Sequence, residues 1–179
     1  IISSNFYDNP SSKIDLIGIT GTNGKTTISS LLFDLFNRFS INSGLISTIN
    51  IKYGDQDIDS TNTTPDSKSI NYYLAEMIKS NVKICFMEVS SHGIDQKRIE
   101  GLFFKGVIFT NLTHDHIDYH KSFANYRDTK KKIFDSLPNS SFSLINSDDR
   151  NSKYIIQNSK SKKYTYGIKN KSDFNSGIL

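Results

Sequence analysis

The chain has 179 residues and 36% hydrophobic content, enough for one α/β domain with a real core. Its net charge is +4, and outside Lys130-Lys131-Lys132 and Lys160-Ser161-Lys162-Lys163 its lysines are scattered, with few aromatics interleaved, so a solvated surface attractive to anionic substrates is expected and a nucleic-acid partner is not. No apolar run reaches transmembrane length, no signal-peptide pattern opens the chain, and its single cysteine rules out an internal disulfide; a cytoplasmic, non-membrane, monomeric protein is expected.

Residues 1–12 are polar, contain Asp8-Asn9-Pro10-Ser11-Ser12, and read as a loop or linker. Ile14 to Ile19 predicts a short buried strand. It runs into Gly18-Ile19-Thr20-Gly21-Thr22-Asn23-Gly24-Lys25-Thr26-Thr27. Between a strand and a helix, such glycines let backbone N–H groups curl around an anion. Lys25 adds a point charge and Thr26 a hydroxyl suited to Mg²⁺. Ile19 stands where the longer phosphate-loop pattern has its first glycine, so the match is the shorter G-x-x-G-K-T. A nucleoside triphosphate site is predicted. The alternative is a tight turn with a solvated lysine, but a cation at a helix start is unfavourable without an anion.

Ile28, Leu31, Leu32, Leu35, Phe36 and Phe39 recur at helical spacing and predict an amphipathic helix. Gly44 to Thr48 reads as a strand. Ile49 to Asp59 reads as a hairpin around Tyr53-Gly54-Asp55. Asn62-Thr63-Thr64-Pro65 is a loop, and Asp66 or Ser67 caps a helix to Ser80 with Ile70, Leu74, Met77 and Ile78 as its stripe. Ile84 to Val89 is a strand that buries Cys85 and carries Glu88 at its carboxyl end, where a carboxylate facing a phosphate loop suits Mg²⁺. A polar turn and short helix follow over Ser90 to Ile99. Gly106 to Thr110 is a strand, and Asn111 to His120 a loop rich in His and Asp.

His114, Asp115, His116, Asp118 and His120 crowd that loop, yet their spacing fits no closed zinc site. One histidine with carboxylates and phosphate oxygens around Mg²⁺ or Mn²⁺ fits better. A helix covers Phe123 to Leu137, with Lys130 on its inward side beside Ile133 and Phe134, and Lys131 and Lys132 turned outward. Phe142 to Asn146 is a strand, Asp148 starts a helix, and Lys163 to Gly167 is a last strand. The chain begins at Ile1 and stops at Ser176-Gly177-Ile178-Leu179 without a closing element, so an excised piece of a longer protein is expected.

Alternating strands and helices predict an α/β fold, a doubly wound, mostly parallel sheet with helices on both faces. In such sheets ligands sit beyond the carboxyl ends of the strands. The clusters after Ile19, Val89 and Thr110 all fall at that rim.

With these pieces assembled, the chain resembles the central domain of the Mur ligase family, a P-loop NTPase-like fold. The resemblance rests on Gly21 to Thr27; Asn62-Thr63-Thr64-Pro65; Met87-Glu88-Val89-Ser90-Ser91-His92-Gly93 with Gln96 and Arg98; Asn111 to His120; Tyr126 to Phe134; and Ile145-Asn146-Ser147-Asp148-Asp149. It implies a linker over 1–12 and an ATP-binding domain over 13–179, clipped at its carboxyl end. The Glu88 to Gly93 run points to the tripeptide-forming branch, which extends UDP-N-acetylmuramoyl-L-alanyl-D-glutamate by the third stem-peptide residue, meso-diaminopimelate or L-lysine, through an acyl phosphate.

The resemblance also implies roles. Gly21, Thr22, Asn23, Gly24, Lys25, Thr26, Thr27 and Asn111 would bind ATP. Thr26 and Glu88 would hold one Mg²⁺, and His116 would help hold a second. Lys130 would act as a carbamate ligand. Lys25, Glu88, His116 and Lys130 would form the catalytic set. Asn62, Thr63, Thr64, Ser90, Gln96 and Arg98 would contact the UDP-muramoyl dipeptide, and a free amino acid would be the second substrate. The rivals are a sister Mur or folylpolyglutamate ligase, and a non-catalytic nucleotide-binding module.

Overall fold

In the computed structural model, which describes residues 1–176, nine strands form one sheet in the order β4-β3-β2-β5-β1-β6-β7-β8-β9. The expectation about residues 177–179 lies outside the described residues. β1 (Asp15–Thr20) is central, flanked in parallel by β5 (Ile84–Glu88) and β6 (Gly106–Phe109). β2 (Ser43–Ile46) adds in parallel beyond β5; β7 (Phe142–Asn146), β8 (Lys162–Gly167) and the short β9 (Phe174–Asn175) extend the other side in parallel. The antiparallel pairs come from the hairpin β3 (Asn50–Tyr53) and β4 (Gln56–Asp59), which folds back on β2 at the edge.

Alternation along β1 assigns its side chains to two faces. Ile17 and Ile19 join Leu45, Phe86 and Ile108 beneath α2 (Lys25–Arg38). Leu16 joins Cys85, Met87, Val107 and Phe109 on the opposite face, under α3 (Ser67–Lys79), α4 (Ser91–Asp95) and α6 (Phe123–Asp135). A parallel sheet buried on both faces reads as continuous apolar strands, which β1, β5 and β6 are.

Several expectations are corrected. Residues 1–12 hold α1 (Ile2–Phe6) and a 3₁₀ turn, Pro10–Ser12, instead of a free loop. Ser11 Oγ accepts from Phe103 N at 3.0 Å, so the segment is docked by polar contacts that periodicity does not register. On α2 the sheet-facing side is Ile28, Leu32, Phe33 and Phe36, with Ser29 buried. Leu31, Leu35 and Phe39 are exposed instead, Phe39 at 72%. Both sets obey a 3.6-residue period, and only the sheet chooses between them.

The end of the Asn111 to His120 loop is a helical turn, α5 (Ile117–His120). Asp148 starts no helix. Its carboxylate accepts from Ile168, Lys169 and Asn170 N–H groups at 2.7–3.2 Å, and helix α7 begins later, at Ser152–Ile155. Lys131 is buried, not outward. Tyr154 lies beside it, with Nζ 5.9 Å from the ring centroid, and Lys131 pairs with Asp135 at 2.6 Å.

Asp66 caps α3, accepting from Lys68 N at 2.9 Å and Ser69 N at 3.0 Å. The backbone and side-chain hydrogen bonds from Ser69 hold its carboxyl below the ordinary carboxylate range. A depressed folded pKa stabilises above the unfolded value and is lost as pH falls through the folded one. Asp66→Ala is therefore expected to cost about 1 kcal/mol in urea unfolding at pH 7. That difference from the parent should shrink steadily as the pH drops below about 4.

Candidate nucleotide site at the carboxyl rim of the sheet

The loop between β1 and α2 owes its shape to two glycines in left-handed backbone. Gly21 has φ +152°, and a Cβ there would lie 1.9 Å from Thr110 Oγ1 and 2.9 Å from the Asn111 carbonyl. Gly24 has φ +83° and heads α2, and a Cβ there would meet nothing within 4 Å. From the β6 side, Asn111 clasps the loop with both ends of its amide. Its Oδ1 accepts from Asn23 N at 3.0 Å, and its Nδ2 donates to the Asn23 carbonyl at 3.0 Å. Thr110 Oγ1 donates to the same carbonyl at 2.7 Å. Thr22 N donates to the Asn111 carbonyl at 2.8 Å.

The start of α2 has no side-chain cap and no acidic residue in its first turn. It carries Lys25 instead. Lys25 Nζ folds back to donate to the carbonyls of Gly21 (3.0 Å) and Thr22 (2.8 Å). Lys130, reaching from α6, donates to the same Gly21 carbonyl at 3.0 Å and is 1% exposed. Two lysine amines thus share one oxygen beside a positive helix end, an arrangement that favours an anion. Burial lowers the Lys25 pKa, while the charges of Glu88 and Asp115 oppose that shift. Burial, and then the charge of Lys25, hold Lys130 well below the ordinary lysine range, with Asp115 opposing.

Glu88 is fully buried at the end of β5, opposite Ile19 in the parallel register. Both of its carboxylate oxygens are held by one residue. Thr48 N donates to Oε1 at 2.9 Å and Thr48 Oγ1 to Oε2 at 3.0 Å. His116 is half-exposed in left-handed backbone (φ 52°), with Nε2 3.4 Å from Asp115 Oδ2. Its ring lies 4.9 Å from His92 and 6.0 Å from Tyr126. Tyr126 joins this histidine to the loop. Its hydroxyl is 3.1 Å from Thr22 Oγ1 and its ring centroid 4.9 Å from Lys130 Nζ. Burial pushes the Tyr126 phenol up to about 12.

On the β5 side, Thr64 is 1% exposed and its hydroxyl is fully used: it donates to the Glu88 carbonyl (3.0 Å) and accepts from Ser90 N (2.9 Å). Ser90 Oγ caps α4 by accepting from Gly93 N at 3.0 Å. Arg98 grips the Gln96 amide oxygen through Nε (2.9 Å) and Nη2 (2.6 Å), and donates through Nη1 to the Thr64 carbonyl (2.6 Å). Thr63, Thr64, Ser90, Gln96 and Arg98 therefore form one connected wall, and Asn62 stands exposed at its edge, its amide donating to Thr61 Oγ1 at 3.3 Å and its backbone carbonyl accepting from Ser60 Oγ at 2.9 Å. Thr48, Tyr126 and His92 were given no role of their own from the sequence. Each is an ordinary residue type made relevant by a partner remote in sequence.

The residues suit Mg²⁺ with nucleotide and do not suit a metal bound by protein alone. Among the described residues no group of three or more His, Cys, Asp or Glu could hold a metal ion. Mg²⁺ is commonly held by one or two carboxylates together with substrate phosphates, and Glu88, buried at the carboxyl end of β5, is a carboxylate at that rim.

The two glycines separate by substitution. Gly24→Ala is expected to cost only left-handed strain, about 1–2 kcal/mol. Gly21→Ala, which adds a collision with Thr110, is expected to cost about 3 kcal/mol or more. Thermal unfolding of the two variants side by side checks the order, and equal melting shifts would contradict it.

Residues 19–178 match the family described as Mur ligase middle domain. A protein of Cytophaga hutchinsonii named UDP-N-acetylmuramoyl-L-alanyl-D-glutamate--2,6-diaminopimelate ligase is 51% identical over all of this chain, which covers 37% of that relative. A Bacteroides fragilis protein of the same name is 52% identical over 99% of the chain, which covers 36% of it. The chain thus spans little more than a third of the length of these relatives. A solved diaminopimelate ligase of the same name superposes with TM-score 0.79 at 28% identity, over 90% of this chain and 34% of its own. Mycobacterium tuberculosis folylpolyglutamate synthase superposes with TM-score 0.71 over 94% of this chain and 47% of its own, but at 12% identity, which is a likeness of fold alone. A match over nearly the whole chain, with relatives half identical to it, leaves one conclusion: the chain belongs to the Mur ligase middle-domain family.

Proposed function

We propose that the chain is the ATP-binding part of an amide-bond ligase that joins diaminopimelate to UDP-N-acetylmuramoyl-L-alanyl-D-glutamate in peptidoglycan precursor synthesis. The observation that carries this is the convergence of Lys25 and Lys130 on the Gly21 carbonyl, at an uncapped helix start, with Glu88 and Asp115 as opposing charges. The shared name of relatives 51% and 52% identical supports the substrate and the added amino acid. Nucleotide-linked substrates favour a cytoplasmic enzyme; among the described residues no helix is long and apolar enough to cross a membrane.

Each residue has a chemical task in this proposal. The N–H groups of the Gly21 to Thr27 loop and Lys25 hold the triphosphate, with Asn111 shaping the loop through Asn23. Thr26 and Glu88 would hold one Mg²⁺, His116 would help hold a second, and Lys130 would act as a ligand in its carbamate form. Bound Mg²⁺ supplies charge neutralisation between phosphate and substrate carboxylate, which otherwise repel. ATP phosphorylates the D-glutamate carboxylate, and the amine of diaminopimelate displaces phosphate from that acyl phosphate to give the amide, ADP and phosphate. The wall of Asn62, Thr63, Thr64, Ser90, Gln96 and Arg98 positions the dipeptide. Since the Thr64 hydroxyl is saturated internally, its task is to fix the loop against Glu88 and Ser90.

Lys130 is suited to carbamate formation. CO₂ adds only to a neutral amine, and burial beside Lys25 disfavours its ammonium form. The product is an anionic oxygen ligand, which converts a repulsion between two lysines into an ion pair.

Two experiments test the proposal on the intact protein. Phosphate release should require ATP, the UDP-muramoyl dipeptide and diaminopimelate, with L-lysine a poor replacement, and Lys25→Ala should abolish it. Near-normal turnover in that variant would refute the role given to Lys25. Separately, ¹³C-bicarbonate should produce a carbamate carbonyl resonance that disappears in Lys130→Met. No such resonance in the active parent protein would exclude the modification.

A further inference from the structure

Glu88 is buried at the rim, yet its carboxylate is held by a residue from a different strand end. Thr48, just beyond β2, supplies both contacts: its N–H to Oε1 at 2.9 Å and its hydroxyl to Oε2 at 3.0 Å. The same Oγ1 lies 3.1 Å from Thr63 Oγ1, in the loop ahead of α3. A hydroxyl has one proton to donate, and an ionised carboxylate can only accept. The single Thr48 proton therefore faces two acceptors, Glu88 Oε2 and Thr63 Oγ1, and serves one at a time. Thr63 and Glu88 compete for the Thr48 hydroxyl, which joins segments that are 15 and 40 residues apart in sequence.

Resting on the function proposed above, we propose that Thr48 is a positioning residue that fixes the Glu88 carboxylate for Mg²⁺ and couples it to the dipeptide-binding loop through Thr63. Each Glu88 oxygen has one contact from Thr48, which sets the carboxylate plane and leaves each oxygen lone-pair capacity for a cation. Groups that orient a metal ligand commonly change metal affinity 10- to 100-fold when removed. A ligand that draws the Thr63 hydroxyl away from Thr48 removes the competing acceptor and leaves the Thr48 proton to Glu88. Occupancy of the loop is then felt at Glu88 without direct contact.

The test compares Thr48→Val, which keeps the backbone N–H and the branched shape but loses the hydroxyl, with Thr48→Ser, which keeps the hydroxyl. Thr48 is exposed, so both variants should fold, and thermal melting checks this. The readout is binding of a non-hydrolysable ATP analogue to the intact protein by calorimetry across a Mg²⁺ titration. Thr48→Val should raise the Mg²⁺ concentration for half-maximal binding about 10-fold, with Thr48→Ser within about 2-fold of the parent. Thr63→Val, which removes the competing acceptor, should not raise that concentration, and it should have no effect in the Thr48→Val background. Unchanged Mg²⁺ dependence in Thr48→Val would overturn the proposal. So would an equal loss of binding with and without Mg²⁺ alongside a lowered melting temperature, which marks a merely structural role. If the parent itself binds the analogue with no Mg²⁺ dependence, the proposed function fails first and this inference falls with it.

Discussion

One carbonyl oxygen organises the rim. Gly21 O accepts from Lys25 Nζ and Lys130 Nζ, both at 3.0 Å. One lysine comes from the helix the loop opens and the other from a helix more than a hundred residues later in the chain. Two like charges this close, one of them nearly free of water, are costly unless something relieves them. Three reliefs are available in the structure and its chemistry: loss of a proton from Lys130, partial compensation by Glu88 and Asp115, and an anion over the loop. An anion over the loop is the relief that would leave both lysines charged, which supports the nucleotide role proposed above.

The sheet makes that meeting possible. With β1 between β5 and β6, the three carboxyl ends lie side by side, so the loop after Thr20, the acid at Glu88 and the turn at Asn111 share one edge. Contacts between side chains and backbone then lock them. Thr20 Oγ1 donates to the Val89 carbonyl at 2.8 Å, and Leu112 N donates to Asp149 Oδ2 at 2.7 Å. Asn146 Nδ2 donates to the Thr110 carbonyl at 2.8 Å, extending the lattice to β7. Few of these groups are free to move independently, and such rigidity favours electrostatic preorganisation.

The wall beyond β5 follows a different logic. Its threonines and serines spend their hydroxyls on one another, on backbone and, for Thr48, on the Glu88 carboxylate. Hydroxyl networks of this kind hold loops in register more than they offer free donors. Gly93 belongs to the same packing, since a Cβ there would come within 2.7 Å of Thr64. The exposed members, Asn62 and Gln96, are the ones with surface left to present.

Local chemistry made much of this legible from the sequence. The glycine-lysine-threonine turn, the apolar strands and the Asp66 cap are each written in a few adjacent residues, because steric and capping preferences act over one or two turns. Lys130 was legible as inward because Ile133 and Phe134 mark that face of α6. Lys131 was not, since its burial comes from Tyr154 on another element. Periodicity could not rank Leu31, Leu35 and Phe39 against Leu32, Phe33 and Phe36, because both stripes suit a helix and only contact with the sheet separates them. The hold of Thr48 on Glu88 and the lysine pair on Gly21 were decided by tertiary structure alone. They depend on where strand ends fall relative to one another, and hydrogen bonds across 40 and 109 residues of chain leave no periodic or compositional trace.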